Sequence, residues 1–206
     1  MTTQVLGVDA AGVARSASCI VAGGILVYPT ETVYGIGGNA LDAGVMDRIR
    51  TLKGNAADKP MLVLTDEWAR VADWFRGVPD ALQRLMDYEI ELPITLLVMA
   101  SEKAPEVLVG PEGMIGVRRS SDSFCRALIE AAGTPLLSTS ANVSGKPSQV
   151  FFEDLDPAIC EGVDLAVDAG RTLTGIPSTV VRVADNSVRV VREGAVDAQM
   201  IHKIVG

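Results

Sequence analysis

The stretch GGILVYPTETVYGIGG, residues 23–38, decides how the chain is read. Its apolar run Ile25–Tyr28 lies between a glycine pair and Pro29, which marks a short buried strand. Beyond the proline, Thr30 and Thr32 bring hydroxyls, and Gly35, Gly37 and Gly38 let backbone amides approach a ligand. Taken alone, the glycines are better explained by an ordinary turn before a helix, and their spacing is not the GxGxxG of dinucleotide sites. A second stretch, LSTSANVSGKPS at residues 137–148, has the same small, hydroxyl-rich character and also leaves an apolar run. Loops of this kind at strand ends are where open α/β sheets bind ligands.

Working outward, strands and helices alternate. Helical spacing covers residues 9–22, closed by Gly23-Gly24, and residues 42–52, with Val45, Ile49 and Leu52 on one face and Gly54 as a stop. Further helices are expected at 66–75, 79–88 and 120–133. Strands are expected at 61–65, 94–99, 114–117, 135–139, 165–168, 178–183 and 188–191, the last two joined as a hairpin through ADNS. The expected product is one three-layer α/β domain over residues 1–206. Its sheet is mixed, parallel where helices intervene and antiparallel near the C-terminus.

Composition excludes several classes. A chain of 206 residues with 48% apolar side chains can bury a substantial core. No apolar run approaches the roughly 20 residues that span a bilayer, and the N-terminus lacks a leader pattern, so the expected location is the cytoplasm without membrane contact. The three cysteines, Cys19, Cys125 and Cys160, are far apart and read as reduced packing residues. A net charge of −8 argues against a broad nucleic-acid-binding face, so any anion site is local. The one histidine, His202, leaves little material for triad or histidine-metal chemistry. Hydroxyls, amides, Lys, Arg and backbone must do the work.

Taken singly, the candidate residues remain ambiguous. Lys53 and Lys59, in LKGNAADKP, suit phosphates, but taken alone they are better explained as lysines that end a helix and complement its dipole. SGKPS imitates a phosphate loop only superficially, because Ser140 stands at the first glycine position and Pro147 follows the lysine. Ser138, Ser140, Asn142, Ser144 and Ser148 would serve a ribose, a phosphate or a magnesium shell as readily as their own turn. Arg118 and Arg192 end strands and suit a carboxylate or phosphate; Arg119 and Arg182 read as surface ion pairs.

Together and in order, GGILVYPTETVYGIGG, LKGNAADKP, IGVR, AAGTPLLSTSANVSG, STVV and VREG resemble the YrdC family of threonylcarbamoyl-adenylate synthases, from about Gly23 to Gly194. The resemblance implies a three-layer α/β fold with an electropositive cavity. It also implies a nucleotidyltransferase that joins L-threonine, bicarbonate and ATP, with magnesium, into threonylcarbamoyl-adenylate and pyrophosphate, for a downstream machinery that modifies adenosine in tRNA. It would put threonine on Thr30 or Thr32, Arg118, Ser138 and Ser178. ATP would fall to Lys53, Ser140, Asn142, Ser148 and Arg192, with Asn55 and Lys59 in the same loop. Lys53, Arg118, Ser140 and Asn142 would carry the catalytic roles, with no protein side chain assigned to a metal.

The chain departs from the family pattern at Asn55, where an arginine is usual, at Leu64, near a usual histidine, in ELPIT, which keeps only Pro93 and Thr95 of a proline-glycine-proline and threonine set, and at Met114. Those departures keep alive a catalytically weakened paralogue that binds RNA or ribosomes, and, less favoured, another carbamoyl-transfer enzyme. The acidic balance and scarce aromatics weigh against RNA.

Overall fold

In a computed structural model, which describes residues 3–54, 61–88, 91–110, 112–185 and 187–206, the opening stretch is a hairpin at the heart of the sheet. Asp9 caps the helix α1 (Ala10–Val21), its carboxylate accepting from the Gly12 N–H at 2.8 Å. The helix ends at Gly23, whose φ of +80° suits glycine. The chain then enters β2 (Ile25–Tyr28), and β3 (Gly35–Asn39) returns antiparallel to it, with Tyr28 opposite Gly35 and Ile25 opposite Gly38. The expected loop at Gly35–Gly38 is therefore a strand. Gly37 and Gly38 serve close packing: a Cβ on Gly37 would lie 2.0 Å from the Leu137 carbonyl oxygen, and one on Gly38 would lie 2.6 Å from that of Gly24.

The other elements are β1 (Gln4–Leu6), α2 (Ala43–Leu52), β4 (Leu62–Thr65), α3 (Asp80–Asp87), β5 (Ile94–Met99), β6 (Met114–Arg119), α4 (Ser123–Ala132), β7 (Leu136–Ser140), α5 (Pro157–Glu161), β8 (Leu165–Val167), β9 (Thr179–Ala184), β10 (Ser187–Arg192) and α6 (Ala198–Val205). They build a ten-stranded sheet in the order β1-β8-β2-β3-β7-β4-β6-β5-β9-β10. The sheet is mixed as expected, and β9–β10 is the expected hairpin. Antiparallel pairing is not confined to the C-terminal part, however: β2–β3, β3–β7, β4–β7 and β5–β6 are antiparallel.

Alternation along the strands divides the core. Leu26, Tyr28, Leu64 and Leu136 pack with Ile20 of α1 and Phe124 and Leu128 of α4. Ile25, Val27, Ile36 and Val63 join the larger core with Val45 and Ile49 of α2, Leu82 of α3 and Ile201 of α6. Helices cover both faces, which gives the three layers.

Residues 66–75 differ from the expected helix. They form two short 3₁₀ turns, Trp68–Arg70 and Ala72–Trp74, and Phe75 then bridges to Ala100. Val71 and Phe75 both reach the core, but Val71 sits between the turns at φ −126°, and the strand-like pairing of Phe75 takes the chain out of a helical path. Tertiary pairing here overrides local propensity.

The packing of β3 predicts that Gly37→Ala destabilises the fold by about 2–3 kcal/mol, because its Cβ meets backbone rather than a mobile side chain. Gly77→Ala, whose Cβ would meet nothing within 4 Å, should stay within about 0.5 kcal/mol of the parent. Urea unfolding midpoints distinguish the two.

Candidate active site

The turn between β2 and β3 is polar and entirely buried, since every residue from Gly24 to Gly38 is out of solvent. A buried turn must find partners for its backbone, and neighbouring loops supply them. The N–H groups of Thr174 and Gly175 donate to the carbonyls of Glu31 and Thr32 at 3.1 and 2.9 Å, and the Thr172 hydroxyl donates to the Thr32 carbonyl at 3.0 Å. The Tyr34 N–H reaches the Gln149 carbonyl at 2.9 Å, and the Ala141 N–H reaches the Tyr34 carbonyl at 2.8 Å. Inside the turn, the Thr30 hydroxyl donates to the Val33 carbonyl and lies 2.8 Å from the Thr32 hydroxyl.

Against this turn lies a cavity of about 140 Å³, lined among others by Thr30, Thr32, Arg118, Ser138, Ser178 and Arg192. Strand β6 carries Arg118 into it: the side chain is 5% exposed, and Nη1 donates to the Thr32 hydroxyl at 3.0 Å. Behind the guanidinium, Glu31 Oε1 sits 3.3 Å from Nε, and Glu31 Oε2 accepts from the Ser120 hydroxyl at 2.8 Å. The pair is buried on both sides, so Arg118 is charged, oriented and locally neutralised.

Arg192 approaches from the end of β10 and donates to the Ser178 carbonyl at 2.8 Å; the Ser178 hydroxyl in turn lies 2.8 Å from that of Thr95. No carboxylate among the described residues pairs with Arg192. Partial burial, and then the nearby Arg118 charge, hold its pKa below the usual value. Two guanidiniums face one hydroxyl-lined space with only one counter-charge, which leaves the cavity wall with a net positive charge.

Ser138 is set by Tyr28, whose phenol donates to the serine Oγ at 2.8 Å. Burial raises the Tyr28 pKa well above its normal value, so the phenol stays a neutral donor at physiological pH. With its oxygen already accepting, Ser138 keeps its own proton for a partner in the cavity.

Of the remaining sequence candidates, Ser140 and Ser148 line the same cavity. Lys53 is buried at the end of α2, its ammonium donating to the Ser140 carbonyl, which joins the two loops at their bases. Asn142 is also buried and donates to the carbonyls of Val143 and Lys146 at 3.0 and 2.7 Å, while its Oδ1 has no partner. Neither Lys53 nor Asn142 lines the cavity. Asn55 and Lys59 fall outside the described residues. Arg119 and Arg182 are in ion pairs with Glu91 and Glu112, and Arg119 also lies over Trp68.

Glu31, Ser120, Thr95 and Tyr28 are the parts that sequence reasoning missed. A glutamate between two threonines carries no spacing signal, and its partner is 87 positions away in the chain, at Arg118. Tyr28 reads as strand filler until its hydroxyl is seen to reach Ser138.

Fold and cavity together define an α/β protein with a compact, cationic, hydroxyl-lined binding site at the turn of a buried hairpin. Residues 18–194 match the family model Sua5/YciO/YrdC, described as telomere recombination, and the chain belongs to that family. It is similar to the threonylcarbamoyl-AMP synthase of Pyrococcus abyssi, with 30% identity over 184 residues covering 89% of this chain and 54% of that protein. The synthase of Bacillus subtilis is 31% identical over 210 residues, covering 99% of this chain and 59% of that one. The chain thus spans little more than half the length of these two relatives. Among solved structures, Pyrococcus abyssi Sua5 complexed with L-threonine superposes with a TM-score of 0.90 at 29% identity, covering 99% of this chain and 61% of that one. Escherichia coli YciO gives 0.84 at 25% identity, over 97% and 98% of the two chains.

The Tyr28–Ser138 contact predicts that Tyr28→Phe, which leaves the buried Ser138 oxygen without its donor, lowers stability by about 1–2 kcal/mol in urea unfolding. Ser138→Ala in the Tyr28→Phe background should then add little, the signature of a coupled pair.

Proposed function

We propose that the chain forms L-threonylcarbamoyladenylate and pyrophosphate from L-threonine, bicarbonate and ATP. The observation that carries this reading is the convergence of Arg118 and Arg192 on a cavity walled by the hydroxyls of Thr30, Thr32, Ser138 and Ser178. Family membership and the likeness to a Sua5 structure complexed with L-threonine support it.

In this reading Arg118 pairs with threonine's carboxylate, and Thr30, Thr32, Ser138 and Ser178 offer hydrogen bonds to its polar groups. The ATP phosphates run along the second loop, where Ser140, Ser148 and Asn142 offer hydroxyl and amide groups and Lys53 stands at the loop's base; Asn55 and Lys59, which follow Lys53 in the sequence, are assigned to the same ligand. Arg192, hydrogen-bonded to Ser178, stands between the two ligands and offsets phosphate charge. The amine of threonine takes up CO2 derived from bicarbonate, with loss of water, and a carbamate oxygen attacks the α-phosphorus as pyrophosphate leaves. Holding the reactants and neutralising charge supply the acceleration, with no side-chain nucleophile required.

Magnesium would arrive with ATP. Among the described residues no group of three or more His, Cys, Asp or Glu side chains converges, and the donors near the loop are hydroxyl, amide and carbonyl oxygens, which suit an ion that keeps most of its water and its phosphate ligands. We assign the chain to one YrdC-like domain acting in the cytoplasm, where its product passes to the machinery that threonylcarbamoylates tRNA. Any contact of its own with RNA is weak, given a net charge of −8.

Pyrophosphate release from ATP and magnesium should require both L-threonine and bicarbonate; release that ignores threonine would overturn the reading. Arg118→Ala should raise the threonine KM by the equivalent of about 2–4 kcal/mol, with a smaller effect on ATP. Equal losses for both ligands in a folded variant would count against the assigned role.

A further inference from the structure

We propose that Glu31 is a specificity-determining residue: it aims Arg118 and cancels one of the cavity's two cationic charges, so that the end of the cavity at Arg118 takes a singly charged carboxylate and disfavours dianions, while Arg192 is left to the phosphates. The proposal rests on the threonine reading for its natural ligand, but not for its electrostatics.

Three observations carry it. First, Glu31 is 2% exposed and anchored at two points: its carbonyl accepts from the Thr174 N–H and Oε2 accepts from the Ser120 hydroxyl at 2.8 Å, while Oε1 forms an ion pair, not a hydrogen bond, with Arg118 Nε at 3.3 Å. A carboxylate anchored through Oε2 keeps its other oxygen, and its charge, beside the planar guanidinium. Second, with Nε 3.3 Å from Glu31 Oε1 in an ion pair and Nη1 donating to Thr32, the rest of the Arg118 guanidinium suits a single carboxylate. Third, Arg192 lines the same cavity without a carboxylate of its own, so Arg118, Glu31 and Arg192 together sum to one positive charge. Without Glu31 the sum would be two.

In a partly desolvated site a unit charge is felt in proportion to the ligand's charge. Removing the Glu31 charge should therefore strengthen sulfate, a dianion, far more than zwitterionic threonine. Glu31→Gln keeps the volume and a carbonyl oxygen for Arg118 and removes only the charge. Glu31→Asp keeps the charge and shortens the reach, so it disturbs aim without altering the sum.

Calorimetric titration with L-threonine and with sodium sulfate, at matched ionic strength, separates these effects. In Glu31→Gln the preference for sulfate over threonine should rise about tenfold or more over the parent protein. In Glu31→Asp both ligands should weaken while their ratio stays within about threefold. If the parent binds threonine and Glu31→Gln leaves the ratio unchanged, the proposal is overturned. If the parent binds no threonine but sulfate tightens in Glu31→Gln, the charge role stands and the threonine reading fails. Should Glu31→Gln not fold, Glu31→Asp and Ser120→Ala decide the matter: each must weaken threonine at least severalfold, and unchanged affinity in either overturns the proposal.

Discussion

A polar turn sunk into the middle of a sheet obliges the rest of the chain to come to it. Pro29–Tyr34 carries hydroxyls, a carboxylate and a run of peptide groups into a region without solvent, where each unpaired group would cost about 1–3 kcal/mol. The segments that relieve that cost are the ones that build the cavity: residues 172–175 close over the turn, Gln149 and Ala141 of the second loop bond to Tyr34, and Arg118 and Ser120 hold its side chains. Satisfying the hairpin and assembling the site are one requirement. The order of the strands serves it too, since β3 pairs with β7 and β7 with β4, which sets the second loop beside the first and brings β6 one strand further on.

The buried pair of Arg118 and Glu31 is poorly explained as a stabilising device. Burying two charges costs several kcal/mol per ion, and an apolar pair of similar volume often does as well. Its merit is an oriented guanidinium in a site shielded from bulk solvent. A cavity cation on a flexible stem would lose its aim and invite any anion; one braced by a carboxylate and a threonine hydroxyl presents a fixed edge. Arg192, hydrogen-bonded to the Ser178 carbonyl and paired with no carboxylate among the described residues, is the complementary case of a charge that the fold does not neutralise.

Much of this was legible in the sequence, and what was not has a common cause. The strands at Ile25–Tyr28, Ile94–Met99 and Leu165–Val167 and the capped helices α1, α2 and α4 follow from local pattern and end signals. The site residues Thr30, Thr32, Arg118, Ser138, Ser178 and Arg192 were singled out and do line one cavity. Gly35–Asn39 was misread because glycines that pack strands and glycines that open loops look alike in sequence. The strand β1 and helix α5 are too short to announce themselves, and α6 went unread. Glu31, Ser120 and Thr95 escaped because their meaning lies in partners 87, 89 and 83 positions away.

A crystal structure of the protein soaked with L-threonine would show what Arg118 and the buried turn are for. It should show the amino acid in the cavity with its carboxylate on the Arg118 guanidinium and a hydroxyl of Thr30, Thr32, Ser138 or Ser178 within hydrogen-bond distance. Threonine bound elsewhere, or bound in the cavity with its carboxylate turned away from Arg118, would contradict the account.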